Sequence, residues 1–171
     1  MNEIFLQPGF IVVPNEPTVL ISAVGSGIAI TIYDLEKKYG GMAYFVRASG
    51  LKPSPFFAKP AIVGILNIFL KRGSNIKNLE AHFYGGASNS NINTFNKNVA
   101  RENIDIVKKL LTDNDISITG VDIGGKLGRK IAFNSSTGEV IVAKIKKIRE
   151  SDWYPETLWI YLQKNLVIYQ K

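Results

Sequence analysis

The chain has 171 residues, 46% of them hydrophobic, and its 21 Lys and Arg residues against 14 Asp and Glu residues give a formal net charge of +7. A chain of this size and composition is expected to form one well-packed core. It contains no cysteine and one histidine, which excludes disulfides, thiol catalysis and cysteine-ligated metals, so we expect no metal site and no cofactor. The sequence shows no signal-peptide pattern and no long apolar run, and we therefore expect a cytoplasmic protein without membrane insertion.

The first third of the chain carries β-strand patterns. Apolar runs at residues 10–13, 19–24, 28–33 and 42–46 are separated by proline and glycine residues, which are typical of turns. A polar loop over residues 48–59 leads to Pro60, which suits the first position of a helix. The spacing predicts one buried face on that helix, formed by Ala61, Ile62, Ile65, Leu66, Phe69 and Leu70.

Strand and helix patterns alternate in the rest of the chain. Leu79, Ala81 and Phe83 predict a strand that ends at Gly85, followed by an Asn- and Ser-rich loop through Asn98. A second helix is predicted from about Ala100 to Thr112, with these residues facing inward: Ile104, Val107, Leu110 and Leu111. Further strands are predicted at 116–123, 129–133 and 140–148, the last two forming a hairpin around the turn at 134–138.

This order of elements predicts an α+β domain over residues 1–148, with packed or strongly curved mixed β-sheets and two main helices against one face. Residues 149–171 form an aromatic extension, which we expect to dock on the same domain. The alternative is an exposed aromatic patch that binds a partner.

The main basic cluster consists of Lys144, Lys146, Lys147 and Arg149. Alternation places Lys144 and Lys146 on one face of the last strand, with Ala143 and Ile145 on the other, as in a half-exposed strand. No RNA-binding aromatic signature or helix-turn-helix pattern accompanies the cluster, so we interpret it as a solvated face and expect no nucleic-acid partner. An anionic surface or nucleic acid is the alternative, and binding that weakens steeply with salt would indicate it.

Four short segments occur in a characteristic order: Gly25-Ser26-Gly27, then Gly40-Gly41-Met42-Ala43-Tyr44-Phe45, then Tyr84-Gly85-Gly86-Ala87, and finally Asp122-Ile123-Gly124-Gly125 with Gly128-Arg129. Together they resemble the chemoreceptor glutamine deamidase family, CheD, from the N-terminus to about residue 147. The resemblance implies a cysteine-hydrolase-like α/β sandwich. It also implies binding residues within these segments, namely Gly25, Ser26, Gly41, Met42, Gly85, Gly86, Gly124, Gly125 and Arg129. The glycines equally suit turns with positive φ, whether or not they bind anything.

Members of that family hydrolyse glutamine side chains on chemoreceptor helices with a cysteine, a histidine and a threonine. The resemblance assigns these roles to positions that hold Gly27, Tyr44 and Ile21 here. The chemistry requires a thiolate and a base, so we expect no catalytic residues at these positions. The resemblance then implies a CheD-like protein that binds chemoreceptor signalling helices or a CheC-type phosphatase.

The alternative is an active deamidase with displaced catalytic residues. Ser26 would need a base, and a phenol such as Tyr44, with a pKa near ~10, is a poor one at neutral pH. The only histidine, His82, falls on the polar face of a strand, where we expect a solvated or hydrogen-bonded side chain rather than a base. Glu102 stands where the family pattern expects an arginine, which also alters substrate recognition. Because Tyr and Ile replace His and Thr, we expect Tyr44 to fill the former pocket.

Overall fold

A computed structural model describes residues 1–88 and 94–154, and three layers are stacked in it. A four-stranded sheet packs on a five-stranded sheet, and two helices cover the other face of the five-stranded sheet. The predicted α+β class, with two main helices and mixed sheets, is confirmed. The elements are β1 (Asn2–Phe5), β2 (Ile11–Val12), β3 (Thr18–Val24), β4 (Ile28–Asp34), β5 (Tyr39–Phe45), α1 (Ala58–Lys71), β6 (Leu79–Gly85), α2 (Thr94–Asp113), β7 (Ser117–Ile123), β8 (Gly128–Asn134) and β9 (Val140–Ile145).

Both sheets combine parallel and antiparallel pairs. The four-stranded sheet has the order β1-β3-β8-β9, with β1 and β3 parallel and the predicted β8–β9 hairpin at the other edge. The five-stranded sheet has the order β2-β5-β4-β6-β7, in which only β6 and β7 are parallel. β4 is the central strand of this sheet, and the helices cover one of its faces and the four-stranded sheet the other.

Strand alternation divides the buried residues into two clusters. Ile28, Ile30 and Ile32 of β4 pack towards the helices, in the same cluster as the buried face of α1. Ala29 points the other way, into a cluster between the sheets that includes Met42 and Tyr44. Even-numbered positions of β5 and β6 therefore face the four-stranded sheet, which places Tyr44 between the two sheets and directs the half-buried His82 to the same side.

The two helices begin earlier than predicted. α1 begins at Ala58, so Pro60 occupies its third position, where its missing N–H still costs no intrahelical hydrogen bond. α2 begins at Thr94 rather than Ala100, because the low helix propensity of asparagine is a weak signal that the surrounding structure overrides. Leu70 is 42% exposed, so its predicted burial is wrong; it lies at the border of the apolar face, next to the end of α1.

The basic cluster is split by the end of β9. β9 ends at Ile145, so Lys146 lies beyond the strand instead of sharing a strand face with Lys144. Lys144 contacts the carboxylate of Asp122 and Lys146 is exposed. Only part of the cluster is thus a freely solvated surface.

The start of the aromatic extension contacts the domain. Trp153 packs against the cluster between the sheets, and its indole Nε1 donates to the carbonyl of Ala23 at 2.9 Å. The predicted docking of the remaining extension concerns residues 155–171, which lie outside the described residues. Among the described helices, none has the length and apolar character needed to cross a membrane.

Candidate functional site

Three turns meet at one end of the five-stranded sheet. They contain the residues that we name the glycine cluster: Gly25, Ser26, Gly27, Gly85, Gly86, Gly124 and Gly125. The turn between β3 and β4 is bound to the end of β6, because the amides of Gly86 and Ala87 donate to the carbonyls of Gly27 and Gly25, each at 2.9 Å. The amide of Gly124 donates in turn to the carbonyl of Gly85 at 2.9 Å. Backbone hydrogen bonds therefore hold the three turns together.

The turns approach each other so closely that position 85 requires glycine. Its φ is +123°, and a Cβ atom there would lie 2.1 Å from the carbonyl oxygen of Gly27. Gly86 also has a positive φ, of +60°, and a Cβ atom there would lie 2.6 Å from the side chain of Ile104. At Gly85 no other residue type fits without displacing the backbone, whereas at Gly86 a side chain would have to displace the side chain of Ile104 and adopt a positive φ.

Asn103 fixes one of these turns, the β3–β4 turn, from the helix side. Its side chain is completely buried, and its Nδ2 donates to the carbonyls of Ser26 and Val46, both at 2.9 Å. One donor group of α2 thus connects the β3–β4 turn to the end of β5. Its Oδ1 is buried without a hydrogen-bond partner.

Position 27 has no room for a side chain. A Cβ atom on Gly27 would lie 2.7 Å from the carbonyl oxygen of Phe45 and 2.8 Å from Cε2 of Tyr44. Tyr44 is only 4% exposed, so its ring occupies the space into which such a side chain would extend. Burial also raises the pKa of the Tyr44 phenol well above its usual range, which keeps the phenol protonated at neutral pH.

Ile21 lies away from Gly27 and Tyr44. Its neighbours Leu20 and Ser22 are fully buried and face the five-stranded sheet, so alternation along β3 directs Ile21 to the opposite face of the four-stranded sheet. The structure therefore brings together two of the three positions that the family resemblance singles out. Ser22, which sequence reasoning missed, is a hydroxyl residue on the inner face next to position 21, and its Oγ donates to the carbonyl of Leu6 at 2.9 Å. The alternation of β3 was the available signal.

His82 is a hydrogen-bonded histidine, as predicted. Its Nδ1 lies 3.2 Å from the hydroxyl of Tyr84, and its Nε2 lies 2.9 Å from Oγ1 of Thr119. Burial raises the pKa of Tyr84 to about 12. His82 precedes Gly85 by three residues, about 10 Å along a strand, so its ring is not brought to Ser26 and the glycine cluster.

Arg129 stabilises the turn after β7 from within. Its guanidinium is buried and donates to Oδ1 of Asp122 at 2.9 Å and to the carbonyls of Gly124 and Leu127, each at 2.7 Å. Desolvation raises the pKa of the Asp122 carboxyl, but the hydrogen bonds from Lys144 and Arg129 outweigh it and lower the pKa overall. The hydrogen bonds that Arg129 donates are thus made within the protein.

The predicted binding residues separate into buried and accessible groups. The buried group consists of Gly41, Met42, Gly85, Gly86 and Arg129. The group at least partly accessible consists of Gly25, Ser26, Gly124 and Gly125. Any direct contact with a partner therefore falls to the second group. Among residues 1–88 and 94–154, no three His, Cys, Asp or Glu side chains are grouped so that they could hold a metal ion.

Two apolar concavities lie on the surface of the described residues. One, of about 600 Å³, lies along the loop over residues 48–60 and includes Phe57, Val63 and the fully exposed Leu51. The other, of about 520 Å³, we name the C-terminal groove; it is lined by Gln7, Pro8, Phe10, Phe56, Ile148, Arg149, Glu150, Trp153 and Tyr154. Sequence patterns did not reveal it, because its walls come from three distant parts of the chain.

Sequence comparison gives the same family that the glycine-containing segments resemble. The family profile described as CheD chemotactic sensory transduction matches residues 46–144. The chain belongs to the CheD family. The CheD match begins two residues after Tyr44, so positions 21, 27 and 44 all precede the matched residues.

Curated CheD relatives cover more of the chain. A protein of Clostridium acetobutylicum named "Probable chemoreceptor glutamine deamidase CheD" is 32% identical over 139 residues, which are 77% of this chain and 82% of that protein. A protein of the same name from Methanococcus vannielii is 30% identical over 148 residues, 84% of this chain and 96% of that one. "Probable chemoreceptor glutamine deamidase CheD 2" of Geobacter sulfurreducens is 25% identical over 148 residues, 86% of this chain and 92% of that one.

Proposed function

We propose that this CheD-family protein acts in chemotactic signalling by binding chemoreceptor signalling helices without deamidating them. The names of the relatives supply the receptor as the class of partner. The observation that carries the proposal is the glycine at position 27, in a chain with no cysteine at all. Amide hydrolysis through a thioester needs a thiolate, and no other residue supplies one.

The geometry around Gly27 supports this proposal. The phenol of Tyr44 occupies the space beside position 27 and is kept neutral by burial, so it provides neither a nucleophile nor a base there. The hydrogen bonds that join the three turns are nevertheless all formed by backbone atoms and need no catalytic side chain. A binding surface can therefore persist where the chemistry has been lost.

Two further features belong to the same proposal. On the family resemblance we propose a CheC-type phosphatase as an alternative partner and a cytoplasmic location, where the receptor signalling domains lie. The partly accessible residues Gly25, Ser26, Gly124 and Gly125 form the surface where we place partner contacts.

Mass spectrometry of a chemoreceptor signalling-domain fragment tests the proposal. The fragment is incubated with the wild-type protein, with Gly27→Cys alone, and with the triple variant Ile21→Thr, Gly27→Cys, Tyr44→His, and its intact mass is followed. We expect no amide-to-acid conversion by the wild type or by Gly27→Cys alone, since Tyr44 crowds the new thiol. Titration calorimetry with the same fragment should detect binding by the wild type.

The outcomes separate the two functional candidates. Conversion by the wild type that is lost in Ser26→Ala or His82→Ala would establish a deamidase with displaced residues and overturn the proposal. Binding without conversion supports it, and conversion by the triple variant would in addition demonstrate that receptor recognition is intact. A wild type that neither binds nor converts the fragment would exclude receptors as the partner.

A further inference from the structure

We propose that residues 155–171 of this chain bind in the C-terminal groove and cover it. The groove exposes two large aromatic side chains, Phe10 at 51% and Phe56 at 45%. Exposed aromatic residues that line one concave surface mark a site that binds an apolar partner. The occupancy of this groove is independent of the function proposed above.

The path of the chain leads into the groove. Trp153 and Tyr154 both line it, and Tyr154 is the last residue that the structure describes. This end is fixed in place, because the indole of Trp153 donates to the carbonyl of Ala23 and Lys130 Nζ lies 3.0 Å from Oδ1 of Asp152. The described chain therefore ends at the wall of the groove. A segment tethered so closely has an effective concentration in the millimolar range, which favours it over a separate partner.

The sequence of the segment matches the chemistry of the groove. Residues 155–171 hold nine large apolar or aromatic side chains and three charged ones: Leu158, Trp159, Ile160, Tyr161, Leu162, Leu166, Val167, Ile168 and Tyr169, with Glu156, Lys164 and Lys171. Leu158, Tyr161 and Leu162 have the i, i+3, i+4 spacing of one helical face, which is how an amphipathic helix fills an apolar groove. At the rim, Arg149 and Glu150 balance each other in charge, so the groove favours an apolar occupant over a strongly charged one.

The occupied groove lies beside the glycine cluster. The amide of Tyr44 donates to the carbonyl of Phe10 at 3.0 Å, and the amide of Gly9 donates to the carbonyl of Tyr44 at 2.8 Å. Cδ1 of Ile148 lies 3.3 Å from the place a Cβ atom of Gly25 would take. A segment bound in the groove thus borders the surface where we place partner contacts. The consequence, which rests on the proposed function, is that this segment competes with a receptor helix.

Engineered cysteine pairs test the occupancy in the full chain, which has no cysteine of its own. The pair Phe56→Cys with Leu162→Cys places one thiol in the groove and one in the segment. The matched control is Leu35→Cys with Leu162→Cys, because Leu35 is 42% exposed but follows β4 at the end opposite the glycine cluster. At equal oxidant we expect intramolecular disulfide to form at least about tenfold faster in the groove pair, given its higher effective concentration. Equal rates in the two pairs would overturn the proposal, and so would disulfides that form only between two chains at a rate that rises with protein concentration.

Hydrogen exchange provides a second measurement that needs no cysteine. Amides of residues 155–171 should exchange more slowly in the wild type than in Phe10→Asp/Phe56→Asp, while the exposed control Leu35→Asp should leave their rates unchanged. Unchanged exchange in the double variant would contradict the proposal. Because both aromatic residues are exposed, these substitutions leave the buried clusters intact.

The disulfide-locked groove pair then tests the competition separately. Locking should weaken binding of the receptor fragment, and reduction should restore it. Equal affinity of the locked and reduced forms would contradict competition even where crosslinking establishes occupancy. If neither form binds the receptor fragment, the proposed function fails and the occupancy stands on its own crosslinking result.

Discussion

Gly27 lies at a position of the site that has no room for a side chain. A Cβ atom there would meet a backbone carbonyl at 2.7 Å and the Tyr44 ring at 2.8 Å, so Gly27→Ala should lower the free energy of unfolding by about 1–3 kcal/mol. Gly25→Ala is the matched control in the same turn, because its Cβ would meet only Cδ1 of Ile148, at 3.3 Å. We expect the control to change stability by less than about 0.5 kcal/mol. Urea unfolding of the three proteins gives the comparison, and equal costs at the two positions would contradict the crowding of position 27.

Asp122 should make the stability of the protein sensitive to acid. Its folded-state pKa lies below the usual value of about 3.9, so its stabilising contribution is present above about pH 4 and is lost as the pH falls through the folded pKa. Asp122→Asn removes the charge that faces the buried Arg129, and we expect it to cost about 1–3 kcal/mol at pH 7. The cost should shrink at pH 3, when measured by urea unfolding at both pH values.

Asp105→Asn is the control for this charge effect. Asp105 is an exposed member of an i, i+4 pair with Arg101, at 3.9 Å, and such pairs contribute about 0.5 kcal/mol or less. Its removal should be nearly neutral at both pH values. A cost of Asp122→Asn that is the same at pH 7 and pH 3 would show that the Asp122 charge is not what stabilises the turn.

At the level of elements, α2 connects the glycine cluster to the end of β5 through Asn103. Removing this side chain takes the donor away from the carbonyls of Ser26 and Val46, which belong to half-buried residues. Asn103→Ala should therefore cost about 1–3 kcal/mol, the range for a group left without its hydrogen bond. Asn98→Ala on the same helix is the control, because Asn98 is exposed. Thermal unfolding should show a large drop for the first variant and almost none for the second. Similar drops would mean that Asn103 stabilises α2 only as a helical residue and does not fix the turn.

Sequence patterns predicted the structure of some elements more fully than that of others. Alternation in β6 and the 3.6-residue spacing in α1 are local properties, and they predicted the faces that are buried, apart from Leu70. The approach of Gly85 to the carbonyl of Gly27 depends on how β6 pairs with β4, which no local pattern contains. Ser22 is a different case, because the alternation of β3 is a local pattern that directs Ser22 to the inner face, whereas the family resemblance singled out Ile21.

The order of layers in the whole molecule was predictable only in outline. The composition and element order predicted mixed sheets and two helices, because apolar faces must be covered. They could not assign each strand to a sheet, since β3 and β4 are consecutive in the chain yet lie in different sheets. That separation is what places Tyr44 and Tyr84 in the buried layer between the sheets, where burial raises the pKa of both phenols.

This layer should limit the stability of the whole molecule at high pH. Tyr84 has a folded-state pKa of about 12, above the value of about 10 in an unfolded chain, so its contribution is complete below pH 10 and is lost as the pH rises towards 12. Tyr84→Phe should cost about 1 kcal/mol at pH 7, through the lost hydroxyl contact with His82. Between pH 10 and 12 the wild type should lose about 2–3 kcal/mol that the variant does not lose. The two stabilities, measured by urea unfolding from pH 7 to 12, should therefore converge and then cross, although Tyr44 gives both proteins a common alkaline decline. Curves that stay parallel over this range would show that the Tyr84 phenol ionises as readily in the folded protein as in the unfolded chain.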